Sequence, residues 1–206
     1  MRKTRIFIAD DHAMVRMGLA ALLEAEDDFK VVGEAEDGES TVSGVLRLEP
    51  DIVLMDLMMP KMDGTEATAA IHAKSPRTKI ALLTSTSSSD DISRAIRAGA
   101  SGAILKSADF TQLVSVLRRI AAGERVISPE VLHLLAEDPP VPCLTPRQEE
   151  VLESIVRGFT YADIARRFGI REGSVKEHVA LICEKLGAAN KAEAIAIAMR
   201  KHLLKP

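Results

Sequence analysis

The fold is decided by residues 52–60, IVLMDLMMP, where an uninterrupted apolar run closes on Asp56. A short run without polar alternation is typical of a strand buried on both faces. Similar runs in the first 125 residues lie at Ile6–Ala9, Val31–Glu34, Ile80–Thr84 and Ala103–Lys106. Helix-like segments separate them, near residues 13–25, 39–48, 65–74, 91–98 and 109–122. The alternation predicts an α/β fold with a doubly wound, five-stranded parallel sheet.

The pattern changes after Gly123. Ser128-Pro129-Glu130 is a helix-start signal and predicts a short helix through Ala136, before a proline-rich stretch at 137–142. From Thr145 onward the pattern is helical, with segments near 146–157, 161–168, 172–186 and 191–203. The predicted organisation is a domain at 1–123, a linker with a short helix at 124–143, and a small all-α domain at 144–206.

Composition narrows the class of protein. No apolar run approaches the ~18 residues of a membrane span, and the N-terminus carries no signal-peptide pattern, so a cytoplasmic protein without membrane contact is expected. Cys143 and Cys183 indicate neither a disulfide framework nor a zinc site. The net charge of −3 divides into −5 for residues 1–137 and +2 for 138–206. This asymmetry is compatible with a metal site followed by a polyanion-binding domain.

Polar side chains close several of the predicted strands. Asp10 and Asp11 follow the first strand, Asp56 ends the third, Thr84 the fourth and Lys106 the fifth. In a doubly wound sheet the carboxyl ends of the strands meet at one edge, where the ligand site lies. Crowded carboxylates repel one another, and a hard divalent cation such as Mg²⁺ relieves that repulsion. Each Asp alone is explained as a helix cap, but the full set predicts a phosphoryl-transfer pocket with Asp56 as nucleophile.

The motifs of this region resemble those of the receiver domain of two-component response regulators, which has a flavodoxin-like fold. The resemblance spans residues 4–123 and lies in Asp10-Asp11, Val53–Pro60, Met62-Asp63-Gly64, Leu82–Ser85 and Gly102–Lys106.

The resemblance implies a role for each pocket residue. Asp56 accepts phosphate from a sensor histidine kinase. Mg²⁺ (or Mn²⁺) is held by Asp10, Asp11, Asp56 and the backbone carbonyl of Met58. Lys106 pairs with the acceptor, and Thr84 responds to its phosphorylation.

Two positions bear on how such a pocket behaves. Receivers usually carry an aromatic residue three positions before the lysine, and this chain has Ala103 there. Met58, two residues after the acceptor, has no polar group to orient an attacking water, which predicts slow self-dephosphorylation. Met58 also argues against a magnesium-dependent phosphohydrolase of the haloacid-dehalogenase type, which usually has a second Asp at this position.

The C-terminal segments have the pattern of a helix-turn-helix, with a short helix at 161–168, a turn at Gly169 and a second helix from Glu172. On the second helix a stripe at i, i+4, i+7 and i+11 faces the core, and consists of Val175, Val179, Ile182 and Leu186. The opposite face carries Lys176, Glu177, Ala180, Leu181 and Glu184. Such a face is either a solvated surface or a reader of the major groove.

If this face binds DNA, Lys176 is expected to contact a guanine edge or a phosphate, Glu177 to accept a hydrogen bond from a cytosine amine, and Ala180 to contact a thymine methyl group. His178 and Lys185 flank the core stripe and are placed for phosphates.

The second domain resembles the LuxR-type DNA-binding domain. The resemblance lies in Leu144–Arg147, Glu149, Val151-Leu152, Ile164-Ala165, Ser174–Val179 and Lys185–Gly187. With the receiver, it identifies the chain as a member of the NarL/FixJ class, which implies double-stranded DNA with a repeated half-site and a homodimer. Lys191 is expected to keep a phosphate contact. Leu181 and Glu184 depart from the family pattern, which usually has a polar and a basic residue there.

The sequence therefore predicts a transcriptional regulator controlled by phosphorylation, with no enzymatic activity beyond its own phosphorylation and dephosphorylation. The alternative is a signalling adaptor that acts through protein partners and has weakened DNA recognition. Ala103, Leu181 and Glu184 are the residues that support this alternative.

Overall fold

The chain folds as two units, residues 1–139 and 140–206. A computed structural model describes residues 2–85, 89–140, 144–201 and 203. Residues 141–143 of the predicted linker, including Cys143, lie outside the described residues, as do the last three residues of the predicted second domain. Within the described ranges, no helix is long and apolar enough to cross a membrane.

The first unit is built on a parallel sheet. Its strands are β1 (Thr4–Ala9), β2 (Phe29–Ala35), β3 (Ile52–Asp56), β4 (Lys79–Thr84), β5 (Gly102–Leu105) and β6 (Val126–Ile127). They are ordered β2-β1-β3-β4-β5-β6, and all neighbouring pairs are parallel. The predicted α/β doubly wound sheet is confirmed, and its first, third and fourth strands are neighbours. The predicted number of strands is wrong, because the sheet has six rather than five.

The additional strand, β6, lies in the stretch predicted as a linker. Val126 and Ile127 pair with Gly102 and Ala103 of β5, and Gly102 permits this approach, because a Cβ there would lie 2.4 Å from the Val126 carbonyl oxygen. Helix α6 (Pro129–Glu137) then packs on β5 and places Val131, which is fully buried, in the core. Residues 126–137 therefore form part of the first unit.

Helices cover both faces of the sheet. They are α1 (Ala13–Glu24), α2 (Gly38–Leu48), α3 (Gly64–Lys74), α4 (Ser89–Arg97) and α5 (Phe110–Ala121). Alternate residues of β3 enter two separate cores: Val53 and Met55 pack in one, and Ile52 and Leu54 in the other. All five residues of β3 are buried, as its unbroken apolar run predicts.

The second unit consists of α7 (Pro146–Val156), α8 (Tyr161–Phe168), α9 (Glu172–Leu186) and α10 (Lys191–Arg200). Capping boxes at Thr145 and Thr160 begin α7 and α8. Gly169 ends α8 in a left-handed conformation (φ 64°), which glycine adopts without steric cost and which produces the turn into α9. The predicted core stripe of α9 is buried: Val175, Val179, Ile182 and Leu186.

Candidate functional site

The polar residues of the first unit converge at the carboxyl edge of the sheet. Asp10 directly follows β1, Asp56 is the last residue of β3, Thr84 the last of β4, and Lys106 directly follows β5. Because these strands are parallel and the first, third and fourth are adjacent, their carboxyl ends share one edge. Asp10, Asp56 and Thr84 are nearly completely buried there.

Lys106 links two buried carboxylates at this edge. Its ammonium Nζ lies 2.7 Å from Asp10 Oδ2 and 2.8 Å from Asp56 Oδ2, and one fifth of its side chain is exposed. Charged groups that leave water are stable only when paired and hydrogen-bonded. The ammonium therefore offsets the repulsion between Asp10 and Asp56.

The pKa values of this pair reflect both burial and pairing. Burial raises the pKa of the Asp56 carboxyl above its usual range, against the opposing effect of the Lys106 hydrogen bond and charge. Burial alone would lower the pKa of Lys106, but hydrogen bonds to Asp10 and Asp56 outweigh it, and the pKa is raised. Lys106 is therefore charged at neutral pH and supplies a fixed cation beside Asp56.

A group of possible metal ligands lies beside this pair. One oxygen each from Asp10, Asp11 and Asp56 and a ring nitrogen of His12 all lie within 4.8 Å of one another. Carboxylate oxygens suit Mg²⁺ or Mn²⁺, which also retain water ligands, and the exposed Asp11 side leaves room for water. The donor set therefore fits a hard divalent cation.

His12 was not among the predicted site residues. Its Nδ1 lies 2.5 Å from Asp11 Oδ1 and its backbone N–H donates to Asp10 Oδ1 at 2.8 Å. Its position directly after the acidic pair is the sequence signal that points to it.

The loop after β3 contacts the Asp56 carboxylate through its backbone. The backbone N–H of Met58 donates to Asp56 Oδ1 over a long 3.4 Å, and the N–H of Gly64 donates to the Leu57 carbonyl at 2.9 Å. The Met58 side chain is 55% exposed at the rim of the pocket. Asp56 Oδ2 is occupied by Lys106, so Oδ1 is the oxygen more available to a reaction partner.

Thr84 and Ala103 lie on the two strands next to the pocket, β4 and β5. The Thr84 hydroxyl donates to the Ser85 carbonyl at 2.7 Å, while its own carbonyl accepts from the Lys106 backbone N–H at 2.7 Å. Ala103 is fully buried, is paired with Leu82 and Ile127, and belongs to the same hydrophobic core as Val131 of α6. Helix α6 therefore supplies apolar atoms to the core in which Ala103 lies.

In the second unit, the predicted reading residues of α9 lie on one exposed face. Lys176, Glu177 and Ala180 are exposed, and His178 at the edge of this face is half-buried. Lys176 Nζ lies 3.3 Å from Glu172 Oε1, one helical turn earlier. Both side chains are at least half exposed, so this ion pair is weak and Lys176 is available to a polyanion.

Other predicted contacts lie away from that face. Lys185 is half-buried and its Nζ hydrogen-bonds Gln148 Oε1 of α7 at 2.8 Å. Lys191 begins α10, with its ammonium 5.5 Å from the Tyr161 ring centroid. Three exposed arginines near the α8–α9 turn were not among the predicted contacts: Arg166, Arg167 and Arg171. The sequence feature that points to them is the cluster of arginines on both sides of Gly169.

Comparisons with known proteins assign both units. Residues 6–118 match the family described as the response regulator receiver domain, and residues 142–198 match the bacterial regulatory proteins of the luxR family. A transcriptional regulatory protein of Bacillus subtilis, YvfU, is 34% identical over 96% of this chain and 98% of its own length. The response regulator protein VraR of Staphylococcus aureus is 34% identical over 97% of this chain and 98% of its own.

Solved structures give the same assignment. The response regulator ChrA of a haem-sensing two-component system aligns with a TM-score of 0.60 and 33% identity over 99% of this chain and 100% of its own. The two-component response regulator RcsB in complex with DNA aligns with a TM-score of 0.68 and 25% identity over 96% of this chain and 98% of its own. The chain therefore belongs to the two-component response regulators, with a receiver domain followed by a LuxR-type DNA-binding domain.

Proposed function

We propose that Asp56 accepts a phosphoryl group from a sensor histidine kinase and that this modification controls DNA binding by α9. The observation that carries the proposal is the position of Lys106, whose ammonium bridges the buried carboxylates of Asp10 and Asp56. A cation fixed at this distance neutralises charge on a phosphoryl group attached to Asp56 without reorganising the pocket.

In the transfer step Asp56 Oδ1 attacks phosphorus, and the bond from phosphorus to the donor's imidazole nitrogen breaks. The electron pair of that bond stays on the imidazole. Asp56 attacks as an ionised carboxylate, which has no proton to lose, so the step needs no general base. The Lys106 ammonium and the Thr84 hydroxyl stabilise the phosphoryl oxygens by charge and hydrogen bonding, which is the main requirement of such reactions.

The metal site consists of Asp10, Asp11, Asp56 and the Met58 backbone carbonyl, with Mg²⁺ (or Mn²⁺) as the ion. When bound, this ion neutralises negative charge on the carboxylates and the incoming phosphoryl oxygens. Support comes from the all-oxygen donors of the three aspartates and from their mutual proximity.

The phosphorylated state should be long-lived. The side chain at the pocket rim is Met58, which cannot hydrogen-bond a water molecule into line with the phosphorus atom. Catalysis by the chain is then limited to its own phosphorylation and slow dephosphorylation. Rapid loss of phosphate by the isolated protein would contradict this.

On DNA, the amino-terminal part of α9 enters the major groove, with Lys176, Glu177 and Ala180 towards base edges and His178 towards phosphate. Lys185 and Lys191, which lie outside this face, contact phosphates beside it, and Lys185 gives up its hydrogen bond to Gln148 Oε1 to do so. The DNA is double-stranded with a repeated half-site, read by a homodimer in the cytoplasm. Phosphorylation shifts a pre-existing equilibrium towards the binding-competent form.

The alternative function is a signalling adaptor with weakened DNA recognition. It is favoured by Glu184, which is exposed on α9 and brings negative charge towards phosphates.

A DNA-selection experiment on the full-length protein tests the two functions. The protein is compared with and without a small phosphodonor and Mg²⁺, and both conditions are repeated with Asp56→Ala. Enrichment of a repeated site, with tighter binding on phosphorylation only when Asp56 is present, supports the regulator. Failure to enrich any sequence in either state would support the adaptor instead.

A further inference from the structure

The exposed face of α9 carries charged residues at both ends and one apolar turn between them. This recognition face consists of Glu172, Gly173, Lys176, Glu177, Ala180, Leu181 and Glu184. The charges of the amino-terminal part are Glu172, Lys176 and Glu177. The next turn presents only Ala180 and Leu181, and Glu184 follows them.

Leu181 is exposed although the apolar residues Val179 and Ile182 near it in sequence are buried. The side chain is 46% exposed, whereas Val179 and Ile182, on either side of Ala180 and Leu181, are 9% and 1% exposed. Both neighbours belong to the core of the second unit, and Leu181 does not. The fold of this unit therefore does not require a leucine at position 181.

The chemistry of the major groove restricts what an apolar side chain can recognise there. Edges of guanine, cytosine and adenine present hydrogen-bond donors or acceptors, and only the C5-methyl group of thymine offers an apolar contact. A leucine placed over a G·C pair would remove water from those polar groups without replacing their hydrogen bonds.

We propose that Leu181, together with Ala180, reads thymine methyl groups and so selects A·T pairs at one step of each half-site. This inference rests on the proposed function, in which α9 enters the major groove. It adds a methyl contact by the Ala180–Leu181 turn to the base-edge contacts of Lys176 and Glu177.

Replacement of thymine by deoxyuridine in the selected site tests the proposal. Deoxyuridine keeps every hydrogen-bonding group and removes only the C5-methyl. At one position per half-site we expect phosphorylated full-length protein to bind about fourfold more weakly, the factor that corresponds to one buried methyl group. In Leu181→Ala the same replacement should change affinity by less than about twofold.

Glu184→Gln is the matched control, because it alters the same face one turn later and should retain the fourfold methyl effect. Leu181→Ala should unfold at the same temperature as the unaltered protein, since the side chain is not in the core. A methyl effect of equal size in Leu181→Ala and the unaltered protein, or none at any position, would overturn the inference while leaving DNA binding intact. Absence of binding to any DNA would overturn the proposed function as well.

Discussion

Gly64 lies so close to the backbone of Asp56 that a single methyl group there should disturb the phospho-acceptor. A Cβ at position 64 would lie 2.1 Å from the Asp56 carbonyl oxygen and 2.8 Å from Leu57 Cα, whereas ordinary contacts begin at 3.4 Å. Both neighbours are backbone atoms and cannot rotate away. Gly64→Ala therefore forces the end of β3 and the start of α3 apart by more than about 1 Å.

The free energy of unfolding should fall by roughly 3 kcal/mol. Overpacking of a core typically costs about 1–3 kcal/mol, and loss of the hydrogen bond from Gly64 N–H to the Leu57 carbonyl adds roughly 1 kcal/mol. The better helix propensity of alanine returns about 0.5–1 kcal/mol at most. Because a displacement of about 1 Å near reacting atoms can cost about 100-fold in rate, phosphorylation should slow by one to two orders of magnitude, roughly 10- to 100-fold.

Denaturant unfolding of the receiver and its rate of phosphorylation by a small phosphodonor measure these effects. Gly18→Ala is the matched control, because a Cβ at position 18 of α1 meets nothing within 4 Å. The control should be neutral or stabilising by up to about 1 kcal/mol and should react at the unaltered rate. Equal stability and equal rates in the two variants would refute the reasoning.

Three further outcomes are expected. The Lys61 ammonium beside Asp37, together with Ser40, lowers the pKa of the Asp37 carboxyl to about 2. The ionised Asp37 therefore stabilises the fold above pH 3.8, the ordinary pKa of aspartate, and this stabilisation is lost as the pH falls through 2. In an NMR titration Lys61→Met should raise this pKa. Lys106→Met should destabilise the receiver by roughly 2 kcal/mol at pH 7, which is less than the loss of a fully buried ion pair costs, because one fifth of the lysine side chain is exposed. In unfolding experiments at several pH values this loss should shrink at acidic pH, because the raised pKa of Asp56 lets it accept a proton there. Val131→Ala should lower the free energy of unfolding of the receiver by roughly 2 kcal/mol in denaturant unfolding. The control Leu132→Ala, at a side chain that is 52% exposed, should change that free energy by less than about 0.5 kcal/mol. Equal effects of the two variants would argue against α6 as part of the receiver core.

The sequence is sufficient for the elements that carry a strong periodic or apolar pattern. The unbroken run at residues 52–56 predicts β3, and the i, i+4, i+7 spacing on α9 predicts its buried stripe. Because parallel strands end at one edge, the approach of Asp10 to Asp56 follows from topology alone.

The sixth strand has no such pattern. Val126 and Ile127 form a two-residue strand, too short for periodicity to distinguish it from a loop. Its existence depends on the backbone of Gly102 in β5, more than twenty residues earlier in the chain, and on the helix that follows it. Tertiary pairing of this kind is not encoded in a local window of sequence.

Partners of individual side chains are a second feature that helical position alone does not determine. Lys185 lies at the edge of the core stripe, where it is equally placed for phosphate or for its own domain. The Nζ–Oε1 hydrogen bond to Gln148 occupies it within the domain. Gln148 also closes the capping box of α7 by accepting from Thr145 N–H, so the same amide oxygen serves both contacts.

Two of the three departures from the family pattern, Ala103 and Leu181, carry different weight for the choice between regulator and adaptor. Ala103 lacks the usual ring, but its side chain is fully buried in a core that also contains Val131 of α6. It therefore offers no exposed surface to a protein partner. Leu181 is not buried in this way within the described residues of its unit and is 46% exposed. Whatever covers Leu181 in the active protein, a thymine methyl or a protein surface, is what separates the two functions.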